Sequence, residues 1–320
     1  MRLFFRTFFI IALFLAGALL SAYGSGGGEG NSGSVGITWT QRTEIVKSIE
    51  KVKSINDVTY ANGKFVAVGR SEVALILGGG AVLTSEDGIN WTLRPAGTVY
   101  SLRGITYGDG KFVAVGDNGV ILTSEEGVYW TLRASGMTRF LWGITYGDGK
   151  FVAVGTFGTV LTSKDGINWK NHRSGTSNHL FGITYGNGRF VAVGDRGTIL
   201  TSRDGIDWTL RKSGTNENLR DITYGNGRFV AVGLNGTILT SEDGINWTLQ
   251  NSGTSNHLFG VAYGNGKFVA VGENGTILTS EDGINWTPQN SGTSKRLWSI
   301  TYGDGKFVAV GEEGTILTSP

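Results

Sequence analysis

Leu258–Trp286 reads LFGVAYGNGKFVAVGENGTILTSEDGINW, and the fold can be argued outward from this stretch. Short apolar runs alternate with turn signals. Asn265-Gly266 is a two-residue hairpin signal, favoured because both central positions need positive φ. Glu273-Asn274-Gly275 marks a second turn and Asp282-Gly283 a third. Three turns predict four strands, A to D, in an up-and-down meander. Strand B, Phe268-Val269-Ala270-Val271, is apolar on both faces, whereas a strand with one solvated face alternates. Sheets built on such strands must stack face to face.

The stretch recurs along the chain. FVAVG starts at Phe65, Phe112, Phe151, Phe190, Phe229, Phe268 and Phe307, and from Phe112 onward the spacing is 39 residues. A unit this small cannot bury its own apolar faces, so its neighbours must supply the core. Four-stranded sheets stacked around an axis predict an all-β, seven-bladed β-propeller over residues 36–320. The last copy stops at Thr318-Ser319-Pro320 without the usual DGINWT, and Gly36-Ile37-Thr38-Trp39-Thr40 carries that piece at the other end. Residues 36–40 are expected to complete the last blade as its D strand and close the ring, removing the free edges of an open array. Trp39, Trp91, Trp130, Trp169, Trp208, Trp247 and Trp286 hold one equivalent place per blade.

Ser-x-Asp-Gly-x-x-Trp, at Ser85 to Trp91, Ser163 to Trp169, Ser202 to Trp208, Ser241 to Trp247 and Ser280 to Trp286, resembles the Asp-box of sialidase-type (BNR) propellers, one residue shorter than usual. Glu126 stands where the second copy should have Asp. The VAVG…GTILTS.DG..W frame also resembles seven-bladed propellers of the photosystem II assembly-factor type. The resemblance implies a fold, with Asp87, Asp165, Asp204, Asp243 and Asp282 as structural residues. Each carboxylate is expected to accept backbone N–H groups across its turn.

The mature chain is close to neutral: the formal charge is +2, and Arg2 and Arg6 lie in a segment expected to be removed. That is not the basic footprint of a nucleic-acid binder. The absence of Cys excludes disulfides and thiol catalysis. Arg2 and Arg6 precede the apolar run Phe8 to Leu20 and the small-residue site Ala22-Tyr23-Gly24, which together read as a signal peptide over residues 1–24. Residues 25–35 read as a Gly/Ser linker. The chain is expected to be exported, as a monomer with no membrane span after cleavage. Tyr23 occupies the place of the acylated Cys of a lipoprotein signal, so no lipidation is expected.

Against a nearly constant frame, the variable positions stand out. They fall in the D–A linker with the start of strand A, and in the B–C turn, two loops that leave a blade on the same rim. The first set holds Tyr100, Arg103, Arg139, Trp142, Phe181, Arg220, Phe259, Lys295, Arg296 and Trp298. This mixture of aromatics with Arg and Lys is the composition of recognition surfaces, and these residues are the candidate ligand-binding set. The other reading of the Trp/Phe/Arg position is a wedge between adjacent blades. Blade 1 departs most, with extra residues between Arg70 and Gly80 that include the apolar run Val73 to Leu77, and a longer charged linker from Gln41 to Ser54.

Catalysis is not expected. A glycosidase needs two carboxylates flanking one bond. Every Asp and Glu outside the repeat frame is read as lying in a turn or in the first D–A linker, with Glu217 and Asp221 isolated. His179 and His257 lie in identical SNHLF strings and His172 stands elsewhere, so no metal site and no cofactor are expected. The reading is a non-catalytic binding propeller for a protein or a surface glycan. The alternatives are an assembly factor for a membrane protein complex and, last, a sialidase-like glycan-active enzyme.

Overall fold

A computed structural model of the chain describes residues 38–42, 52–72 and 79–320. The expected signal peptide and linker, most of the charged segment before blade 1, and the apolar run Val73 to Leu77 lie outside the described residues. Within them the architecture is a ring of seven four-stranded antiparallel sheets, six of them with their strands in chain order and the last completed by the N-terminal strand. In blade 4, for example, the strands are Leu180–Gly186, Arg189–Gly194, Ile199–Ser202 and Thr209–Arg211. The A–B turns have positive φ at both central residues, as at Asn265 (47°) and Gly266 (75°), the geometry the Asn-Gly and Asp-Gly signals predict.

Each B strand is buried from its Phe to its Gly. Alternate side chains serve alternate interfaces. Phe190 and Ala192 pack with Val152, Val154 and Val160 of the preceding blade. Val191 and Val193 pack with Leu219, Ile222, Phe229 and Ala231 of the next. Two-sided burial is therefore the inter-blade core itself, and removing that apolar area from water drives the stacking. The same logic closes the ring, since Val308, Val310 and Ile316 of the last blade join Ile55, Phe65 and Leu83 of the first in one cluster.

The N-terminal strand completes the last blade as expected, its paired part being Thr40–Gln41, opposite Thr318 and Leu317. Trp39 precedes the strand and is buried, like Trp91 in blade 1. Arg42 extends the seam: its N–H donates to the Ile316 carbonyl at 2.9 Å and its Nε to Thr318 Oγ1 at 2.8 Å.

The Ser-x-Asp-Gly-x-x-Trp turns behave as structural devices. In blade 3, Asp165 Oδ1 accepts the N–H groups of Ile167 and Asn168, both at 2.8 Å, and Oδ2 accepts Asn168 Nδ2 at 2.8 Å. Trp169 Nε1 donates to the Gly166 carbonyl at 3.0 Å. The Asn168 N–H, the Asn168 side-chain amide and the Ile167 N–H hold the Asp165 carboxyl well below the usual carboxylate range. Asp204, Asp243 and Asp282 shift the same way through the equivalent backbone bonds, and Asp87 does so against an opposing effect of burial. Glu126, one methylene longer, makes no such bond, although Gly127 N and Trp130 Nε1 keep theirs.

Candidate functional site

Strand A carries the feature that positions the site. In blade 3 the A–B register runs from Leu141 opposite Gly155 directly to Gly143 opposite Val154, so Trp142 is left outside the ladder as a β-bulge. Each A strand repeats the slip. At the equivalent place the seven blades skip Asn56, Arg103, Trp142, Phe181, Arg220, Phe259 and Trp298. A bulge frees a side chain from the alternation of the strand and re-aims it. All of these line one cavity of about 880 Å³ on the D–A/B–C side of the ring. Lys53, Arg70, His257, Arg296, Glu312 and Glu313 add to its wall.

The bulge residues also meet one another around the ring. Arg103 Cζ lies 4.8 Å over the Trp142 ring, Trp142 meets Phe181 edge-on at 5.6 Å, and Arg220 Cζ lies 4.4 Å over Phe181. Phe259 and Trp298 are 4.7 Å apart, with Arg296 Cζ 5.0 Å over the latter. Wedge and cavity wall are thus one position, half-buried in each blade.

The cations of the cavity differ in how they are balanced. Arg103 holds Asp117 with two bonds, Nε to Oδ1 at 2.8 Å and a terminal nitrogen to Oδ2 at 3.0 Å. Arg296 reaches Glu312 at 3.1 Å and Glu273 at 3.4 Å. Lys53 pairs with Glu72 at 2.6 Å. Arg220 makes no ion pair among the described residues. Burial lowers the pKa of its guanidinium and the charge of Asp195 partly offsets that, though an arginine stays protonated regardless. Its Nε is buried without an acceptor, as are Arg296 Nε and the indole N–H groups of Trp142 and Trp298. These unanswered groups are all donors.

One reading of the sequence needs correction. Asp57 and Asp221 lie within A strands (Val52–Ala61 and Leu219–Gly225), not in turns or a linker, and Asp221 is not isolated. Both sit directly after a bulge residue, where other blades have Gly or Ser. Asp221 Oδ2 accepts Val261 N of the next blade at 2.9 Å and Oδ1 accepts Ile222 N at 2.8 Å. Asp57 Oδ2 accepts Ile105 N at 2.8 Å, and its Oδ1 accepts Val58 N at 2.9 Å and the Ser299 hydroxyl at 2.6 Å. Each carboxyl thereby bridges neighbouring blades. Each residue keeps some contact with solvent, yet its carboxyl lies among so many protein atoms that desolvation dominates. Burial pushes Asp57 up to about 6, and burial with a contribution from the Asp57 charge pushes Asp221 up to about 7. Strand alternation hides such residues, because the bulge shifts the phase of everything that follows it. Glu217 is engaged too, accepting from Asn235 Nδ2 at 3.0 Å.

Of the candidate set, Arg103, Trp142, Phe181, Arg220, Phe259, Arg296 and Trp298 converge on the cavity, and Tyr100, Arg139 and Lys295 remain outside it. Tyr100 is 41% exposed, Arg139 lies over the Phe157 ring, and Lys295 pairs with Glu313. His179 and His257 each accept a B–C turn N–H of the preceding blade through Nδ1, from Phe157 at 2.9 Å and Asn235 at 3.0 Å. No cluster of three or more metal-ligating side chains occurs among the described residues.

Blade count, ring closure and the bulge-lined cavity define the chain as a seven-bladed β-propeller with one diversified face. No protein-family model and no curated protein sequence matches it. Among solved structures it is similar to YCF48 from Cyanidioschyzon merolae, at 18% identity and a TM-score of 0.67, covering 88% of this chain and 98% of that one. A structure of YCF48 bound to D1 peptide gives 18% identity and a TM-score of 0.69, covering 89% and 95%. A catalytically inactive virginiamycin B lyase from Staphylococcus aureus, with quinupristin, gives 14% identity and a TM-score of 0.75, covering 88% and 99%. At these identities the likeness is one of fold.

Proposed function

We propose that this chain is an exported, non-catalytic binding propeller that receives a polypeptide segment of a partner protein in its central cavity. One observation carries the reading. The bulge residues of all blades converge on a cavity whose buried unsatisfied groups are donors and whose Arg220 lacks a carboxylate. A polypeptide offers matching acceptors in its carbonyls and acidic groups, and buried donors gain most when they are answered. The carboxylates that line the cavity, Glu312 and Glu313, are each paired with a cation of their own, Arg296 and Lys295. The guanidiniums over Trp142 and Trp298 occupy one face of each indole, which favours a polypeptide over a stacked sugar. The likeness in fold to a propeller bound to D1 peptide supports the same reading and keeps an assembly factor for a membrane protein complex as its narrower form.

The test is selection of a random peptide display library on the purified chain. The reading predicts enrichment of acidic peptides whose affinity falls at least about tenfold for Arg220→Met. Absence of enrichment over that variant would contradict it. Glycan-array binding lost in a Trp142→Ala/Trp298→Ala variant would give the cavity to a sugar instead.

A further inference from the structure

Phe157 stands in a place that suits a different residue. Its B–C turn holds it at φ 55°, ψ 40°, in the left-handed region. The equivalent residues are Asn118, Arg196, Asn235, Asn274 and Glu313, all at φ between 52° and 56°. Asn tolerates this conformation, whereas a bulky aromatic side chain there is a genuine outlier. Phe157 is also 60% exposed, so the chain recovers little of the cost by burying the ring. Strain and exposure at one residue point to a contact outside the chain.

The surroundings say which contact. Phe157 meets His179 edge-on at 5.0 Å, His179 meets Phe181 at 6.4 Å, Phe181 meets Trp142 at 5.6 Å, and Trp142 meets Phe140 at 6.3 Å. This is an unbroken row of rings from the cavity wall to the rim across blades 3 and 4, with Phe140 itself 42% exposed. Arg139 lies over Phe157, 5.7 Å from Cζ to the ring centroid, and its one hydrogen bond is to Thr159 Oγ1 at 3.5 Å, with no carboxylate partner among the described residues. A shorter row, His257, Phe259 and Trp298, runs across blades 6 and 7 but has Asn235 where Phe157 stands and so no exposed ring at its outer end.

We propose that this row is a docking ledge, and that the polypeptide held in the cavity leaves it across blades 3 and 4. The inference rests on the reading of the cavity given above and adds its direction and chemistry. The segment presents a large apolar side chain to Phe157 and an adjacent acidic group to Arg139. Continuity with the cavity and the uncompensated charge of Arg139 favour one ligand spanning both over a second copy of the chain.

Phe157→Asn separates this role from folding, because Asn already occupies the same turn in sister blades. The variant is expected to melt at a higher temperature than the wild type while binding peptides selected on the wild type at least about tenfold more weakly. The selected peptides are expected to share an apolar–acidic pair that disappears when selection is repeated on Phe157→Asn. Equal affinity of the two proteins for the selected peptides would overturn the ledge, and if Arg220→Met still weakens binding, the cavity reading survives alone. Absence of any enriched peptide would overturn both. Self-association of the wild type in sedimentation, abolished by Phe157→Asn, would assign the ledge to a second copy and overturn the proposal.

Discussion

Asp221 accepts the backbone N–H of Val261 in the next blade at 2.9 Å, and so fastens Arg220 and Phe259, the bulge residues on either side of the seam, to one frame. Asp57 does the same between blade 1 and blades 2 and 7. These carboxyls hold the cavity in shape at an electrostatic cost.

That cost gives the protein a definite dependence on pH. The folded-state pKa values of about 6 and about 7 lie above the ordinary 3.8, so the folded chain binds these protons more tightly than the unfolded chain. Their contribution to stability is fully present below about pH 4 and is lost as pH rises through 6 to 7. The Ser-x-Asp-Gly turns act in the opposite sense, since their depressed carboxyls stop contributing as pH falls below about 4. The urea midpoint is expected to be highest near about pH 4, to decline from there to about pH 7 and to level off above, with a shallower decline in Asp221→Asn. A wild-type midpoint that rises from pH 5 to 8 would be inconsistent with this assignment.

The turn of blade 2 offers a gain of stability. Glu126→Asp shortens the side chain to the length that accepts the two backbone N–H groups in the sister turns. The thermal midpoint should rise by about 1–3 °C, while Asp165→Ala should lower it by a similar amount. An unchanged or lowered midpoint for Glu126→Asp would contradict this and mean that the carboxylate bonds add nothing to a turn already held by Gly127 N and Trp130 Nε1.

Ring closure is testable by deletion. Removing residues 1–42 strips Trp39 from the core and leaves Ile316–Ser319 as an open edge. The shortened protein is expected to melt on the order of 5 °C lower and to associate through the exposed edge. A monomer of unchanged midpoint would show that the seam contributes little.

Much of this molecule was legible in its sequence, for a physical reason. A two-sided apolar strand such as Phe268-Val269-Ala270-Val271, repeated at constant spacing, has few ways to be buried, and the DGINWT piece missing after Ser319 but present before Gln41 left one way to close. The diversified rim was legible as well, because variation stands out against a constant frame. The bulge was not. Leu-Trp-Gly and Leu-Arg-Asp read as ordinary strand starts, and only pairing shows that the middle residue is skipped and turned toward the axis. For that reason Asp57 and Asp221 passed as turn or linker residues, and Phe157 as one more variable turn position, since nothing in the string FG shows its backbone angle or exposure.

The central claim, that Arg220 receives an acidic group of a bound polypeptide, is tested most directly by a double-mutant cycle. A selected peptide and its acid-to-amide variant are titrated into the wild type and into Arg220→Met, and the coupling between the two changes is read from the four affinities. The account predicts that either change alone weakens binding and that both together weaken it little further, a coupling of about 1–3 kcal/mol. Independent, additive losses would mean that the acidic group binds elsewhere, and would contradict the account.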